Sequence, residues 1–138
     1  MILTADQLAR LLLGHLLGDY LLQNNWMALN KKKHVGVAAL HSAIWTACVV
    51  VLVPEFLGVL PTAAVFLSHL ILDATDVVNR WLGLIGGRSF ESARAYTDHD
   101  NPELYKRFYV AYTALVQAVA DNTLHLLFLY LIFRYLVR

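Results

Sequence analysis

Residues 2–23, ILTADQLARLLLGHLLGDYLLQ, decide what kind of chain this is. The run is long enough and apolar enough to cross about 30 Å of hydrocarbon as one helix. Thr4 with Gln7 three places on predicts a capping box at its start, and Asn24 with Asn25 marks its end. Yet the same run holds His15 and Asp19, four residues apart and therefore on one helical face, with Gln23 beyond them. Gly14 and Gly18 add a small-xxx-small spacing, which lets a second helix approach closely.

Working outward, three further stretches read the same way. Residues 35–53 stop at Pro54, residues 56–78 carry Pro61 in the first turns, and residues 102–137 open on Asn101-Pro102-Glu103, a cap followed by proline at the first helical position. Between the last two lies a long loop, roughly Arg80 to Asp100, with Gly83, Gly86 and Gly87. The expected fold is therefore all-α: one domain over residues 1–138, an integral membrane bundle of four transmembrane helices. Composition agrees, since 59% of the 138 residues are hydrophobic and only 15% charged, with a mean hydropathy of +0.55. A soluble domain has about 25% charged residues. The net charge of +1 gives no basic footprint for nucleic acid, and the single cysteine, Cys48, forms no internal disulfide. The N-terminal run lacks the basic opening of a secretory signal peptide.

Lysine and arginine set the orientation. The first connection holds Lys31, Lys32 and Lys33, and the third holds Arg80, Arg88, Arg94, Lys106 and Arg107, against Arg10, Arg134 and Arg138 on the other side. Both connections are expected in the cytoplasm and both termini outside. Trp26, Trp81, Tyr105 and Tyr109 fall at the cytoplasmic ends as interfacial anchors, while Trp45 lies deeper and packs inside the bundle.

Ionisable residues recur in every crossing, although an aspartate at a helix centre costs about 2.5–3.5 kcal/mol on insertion scales. Helix two has His41, helix three His69 and Asp73, and helix four Gln117, Asp121 and His125. Parallel helices one and three read His-then-Asp; antiparallel helix four reads Asp-then-His. Reversing both direction and order keeps the layers aligned. His15, His69 and His125 are expected in one tier, Asp19, Asp73 and Asp121 in a second tier nearer the cytoplasm, and His41 beside the aspartates. Such a set suits one or two sites for a divalent transition metal, zinc first, among His15, Asp19, His41, His69, Asp73, Asp121 and His125. Interhelical hydrogen bonding is the plainer reading of the same residues. Asp98-His99-Asp100 reads as turn and cap chemistry, His34 beside the lysines as a solvated loop residue, and Asp76 as an extension of the site or a partner of Arg80.

The strings GHLLGDYLLQNNWMA, LHSAIWT, SHLILDATD and DNTLHLLFL resemble a family of small bacterial and phage membrane proteins described only as a domain of unknown function. The similarity covers the chain apart from the loop around Arg80 to Asp100. His15, Asp19, Gln23, Trp26, His41, His69, Asp73, Asp121 and His125 fall on its pattern, whereas Asn79 and Asn122 stand where it has lysine and glutamine. The resemblance implies the fold and a bacterial inner-membrane location without naming a reaction. A remoter similarity, to membrane-bound metal-dependent hydrolases, implies a metal. Three functions fit: a metal-dependent hydrolase acting on a lipid or other amphiphile from the cytoplasmic side, a metal-ion or proton-coupled transporter, and a structural or regulatory protein with a polar core. Four helices without an internal repeat are few for transport, a shortage that a homodimer would relieve. Membrane lipids are the expected partners.

Overall fold

A computed structural model describes residues 3–95 and 102–137, without the side chains at 102, 104 and 105. The described residues are helical, with no strand among them. In chain order they form α1 (Ala5–Leu16) running into a π-turn (Leu17–Leu21), α2 (Asn25–Asn30), α3 (Val35–Leu52), a 3-10 turn (Pro54–Phe56), α4 (Val59–Ala74), α5 (Val77–Gly86), α6 (Phe90–Ala95) and α7 (Pro102–Leu136). Asn101 and Asp98 to Asp100, with His99, lie outside the described residues.

The capping box opens α1 as the sequence requires: Gln7 N donates to Thr4 Oγ1 at 3.2 Å and Thr4 N to Gln7 Oε1 at 3.0 Å. Asn24 caps α2 by accepting from Met27 N at 2.9 Å. Two helices, Val35–Leu52 and Lys106–Leu136, are each long and apolar enough to cross a membrane. The other two expected crossings are not single α-helices of that length. The first passes into π geometry at Leu17 and ends before Asn24. The third begins only at Val59 and stops at Ala74, where Thr75 turns extended (φ −121°, ψ 164°) and its hydroxyl donates back to Ile71 O at 2.7 Å.

The expected long loop is corrected as well, because α5 continues through Arg80 to Gly86 and α6 occupies Phe90–Ala95. Of its three glycines only Gly87 has positive φ, at 61°. It closes α5 with Gly87 N on Gly83 O and Arg88 N on Leu82 O, both 3.1 Å, the glycine-dependent helix stop.

Contacts divide the chain into two units, residues 1–75 with 124–138, and residues 76–123. The first has an apolar core of Leu11 from α1, Trp45 and Val49 from α3, Val65 from α4, and Leu129 and Phe133 from α7. Phe56 meets Phe133 edge to face at 5.8 Å. Gly14 of α1 and Gly18 of the π-turn let α3 come close: a Cβ on Gly14 would stand 3.0 Å from Val49 Cα, and one on Gly18 would stand 2.9 Å from Trp45 Cα. The second unit is tied by Asn79, whose side-chain oxygen accepts from Gln117 Nε2 at 3.0 Å and from Phe90 N at 3.1 Å.

Candidate metal centre

Four helices of the first unit each deliver imidazole or carboxylate to one buried place. The i, i+4 spacing in α4 turns His69 and Asp73 to the same side, and α3 does the same with His41 and Trp45. On α1 the partner of His15 is Asp19, which sits in the π-turn, a geometry often found at functional sites. His125 comes from α7. The imidazoles of His15, His41, His69 and His125 are at most 1% exposed.

Nε2 of His41 lies 3.1 Å from Asp19 Oδ1 and 3.2 Å from Asp73 Oδ2. Nε2 of His69 lies 3.2 Å from the same Asp73 oxygen and 3.5 Å from the same Asp19 oxygen. The four atoms form a closed ring of alternating nitrogen and oxygen. These contacts are only partly hydrogen bonds: among the described residues His69 has no hydrogen-bond partner on either ring nitrogen, although two carboxylate oxygens stand within 3.5 Å of Nε2. His41 Nε2 is oversubscribed, with the Gln23 amide at 2.8 Å as a third neighbour. One imidazole nitrogen carries one proton or one lone pair and cannot satisfy three partners.

Against this ring lies a second layer of rings. Trp45 is stacked on His69 with centroids 4.0 Å apart and planes 14° apart. His125 is 4.3 Å from His69 and 5.6 Å from His15 between centroids. Trp45 Nε1 donates to His15 Nδ1 at 3.2 Å. Because indole N–H only donates, this bond makes His15 Nδ1 an acceptor and puts any proton of the neutral ring on Nε2. Asp19 Oδ2 stands 3.4 Å from that acceptor. His41, His69 and Asp73 are one group whose ligand atoms fit round a single ion, and Asp19, His69 and His125 are another. The buried His/Asp cluster is thus compatible with a metal site by donor type and distance.

The profile of one protein family matches residues 7–137. The chain belongs to the family described as protein of unknown function (DUF3307). No curated protein and no solved structure matches it. Every residue of the centre, from His15 to His125, lies inside the segment matched as DUF3307.

Of the seven residues singled out from the sequence of this DUF3307 chain, six meet in the first unit: His15, Asp19, His41, His69, Asp73 and His125. The histidine tier of His15, His69 and His125 is present, with His41 beside Asp19 and Asp73. Asp121 lies one turn before His125 on α7, half-buried, and falls in the second unit. Gln117 likewise belongs to that unit, bonded to Asn79 and Arg88 O. Trp45 packs inside as expected, and its stacking on His69 makes it part of the centre's wall. One participant escaped the sequence reading. Lys31 Nζ reaches Asp73 Oδ2 at 2.8 Å. It stands in a run of three lysines, and nothing in such a run distinguishes the one that turns inward.

Proposed function

We propose that this DUF3307 chain is a multi-pass protein of the bacterial inner membrane that holds a zinc ion in its helical bundle and hydrolyses an amphiphile reached from the cytoplasmic leaflet. One observation carries the metal: His41, His69 and Asp73 form one buried group whose ligand atoms fit round a single ion, Asp73 Oδ2 standing 3.2 Å from Nε2 of each histidine. Ligands about 2.0–2.1 Å from a tetrahedral zinc stand about 3.3 Å from one another. Hydrogen bonding alone accounts for the ring poorly, since His69 makes none of its contacts in hydrogen-bond geometry. Two imidazoles and one carboxylate, with a fourth position left open, suit zinc, with iron and manganese as competitors.

Burial supports assigning different tasks to the four corners. His41 and His69 are wholly buried and Asp73 is 3% exposed, but the Asp19 side chain is 12% exposed. The first three are the ligands, and the Asp19 corner is where water and substrate arrive. A zinc ion with an open position would bring the pKa of bound water down to about 7. Asp19 then serves as general base.

The membrane setting rests on the two long apolar helices and on apolar side chains left exposed, among them Leu13, Val51 and Ile71 in the first unit and Leu84, Leu115 and Val119 in the second. With the expected crossings around them, four helices pass through the bilayer and the lysine-bearing connection faces the cytoplasm.

Elemental analysis of detergent-purified protein prepared without chelator tests the reading. One zinc per chain is expected, lost when His41 and His69 are both replaced by alanine and kept when exposed His34 is replaced. Asp19→Asn should retain the metal and lose about 10²–10⁴-fold in hydrolysis of phospholipid or prenyl-phosphate vesicles. Absence of stoichiometric metal, together with no thermal stabilisation by any added divalent ion, overturns the metal centre. Bound metal without hydrolysis overturns the enzyme and leaves transport or a structural role.

A further inference from the structure

Lys31 ends α2 and begins the triplet Lys31-Lys32-Lys33. Lys32 and Lys33 are exposed, whereas the Lys31 side chain is 17% exposed and runs inward to a carboxylate that is 3% exposed. The oxygen it meets is Asp73 Oδ2, which also stands 3.2 Å from His41 Nε2 and from His69 Nε2. The ammonium therefore occupies the side of the ring where an ion bound by these two histidines would meet its carboxylate. In protein without a metal the centre holds two carboxylates, Asp19 and Asp73, among buried imidazoles, and an uncompensated buried charge is costly. Lysine is suited to give the position up, being a compact charge on a flexible four-carbon stem at the end of a short helix.

Building on the zinc reading above, we propose that Lys31 is the resident counter-cation of the centre, holding Asp73 Oδ2 when no metal is present and swinging out to solvent when the ion binds. Metal uptake is then an exchange of one cation for another at a single oxygen. Two cations on that oxygen repel, so the lysine lowers metal affinity and lets the centre release what it binds. A purely structural tether between α2 and α4 would be indifferent to metal.

The test uses the full chain in detergent, with zinc chloride as the probe. In metal-free wild type an amine-reactive label should modify Lys31 more slowly than Lys32 or Lys33, and zinc should speed its modification several-fold. Lys31→Met, which keeps the apolar stem, should bind zinc at least about tenfold more tightly, because a charge near the site is removed. Lys31→Arg, which keeps the charge, should show no such gain. Unchanged Lys31 labelling on zinc addition, or no tighter binding by Lys31→Met, overturns the exchange and leaves the metal centre standing. Failure of the wild type to bind zinc overturns both. If Lys31→Met does not fold, labelling of the wild type alone decides.

Discussion

Gly18 shows how much of the centre depends on one missing side chain. A Cβ there would lie 2.6 Å from Trp45 Cδ1 and 2.9 Å from Trp45 Cα, the latter a backbone atom that cannot turn aside. Gly18→Ala should push α3 from the π-turn that follows α1, tilt the indole that stacks on His69, and cost about 1–3 kcal/mol in the manner of an overpacked core. Gly36, with nothing within 4 Å of its would-be Cβ, is the control, and Gly36→Ala should leave thermal unfolding in detergent unchanged or slightly improved. Coupling within the ring is measurable too. His41→Ala and Asp73→Ala each strand a buried partner, so their double mutant should lose about 0.5–3 kcal/mol less than the sum of the single losses; strict additivity would argue against a shared site. These residues were legible because their signal is local: Gly14 and Gly18 share a spacing, as do His15 with Asp19 and His69 with Asp73. Lys31 was not, since its partner is 42 residues away and its burial is a product of tertiary packing.

Between elements, Glu55 ties the start of α1 to the turn between α3 and α4. Its Oε1 accepts from Gln7 Nε2 at 2.8 Å and from Arg10 Nη2 at 3.1 Å, while Arg10 Nη1 donates to Leu52 O at 2.9 Å. The bond from Gln7, a backbone bond within the turn and the Arg10 guanidinium hold the Glu55 carboxyl below its ordinary value. A depressed folded-state pKa gives stability that is complete above the unfolded value, near 4.5, and is lost as pH falls from there through the folded value. Thermal unfolding of the wild type should therefore shift to lower temperature over that acidic window, and Glu55→Gln should flatten the Glu55 share of the shift. An identical pH profile for the two proteins would remove Glu55 from the account. Element boundaries were the less legible part of the sequence for a related reason. Hydropathy runs on from α4 through Val77 and Val78, so it does not register that Thr75 has left the helix. The glycines at 83 and 86 look like loop residues but are absorbed by α5, and only Gly87 acts as the stop.

For the whole molecule the question is which side of the membrane carries the centre's opening. Length and apolar composition identify Val35–Leu52 and Lys106–Leu136 as able to cross, and they do not distinguish the two faces of a bilayer. Charge does, because lysine and arginine resist translocation, and the topology expected from the sequence gives eight of them to the cytoplasmic connections and three to the other side. The centre adds a second argument that the sequence alone lacked. Lys31, from the first of those connections, reaches Asp73 directly, so the ring lies within one side-chain length of the lysine-bearing surface. On the proposed function, ions and headgroups arrive from the side on which the lysines lie. With Cys48 first replaced by alanine, a cysteine at exposed Lys33 should resist a membrane-impermeant maleimide in intact cells and react once the inner membrane is opened, whereas one at exposed Leu57, in the turn after Pro54–Phe56, should react in cells with only the outer membrane permeabilised. The reverse pattern would place the lysine triplet outside, against the charge rule, and would turn the centre's opening towards the periplasm. Equal reactivity at both positions before the inner membrane is opened would mean that residues 35–53 do not cross at all, which removes the membrane from the proposed chemistry while leaving the His/Asp ring and its metal test intact.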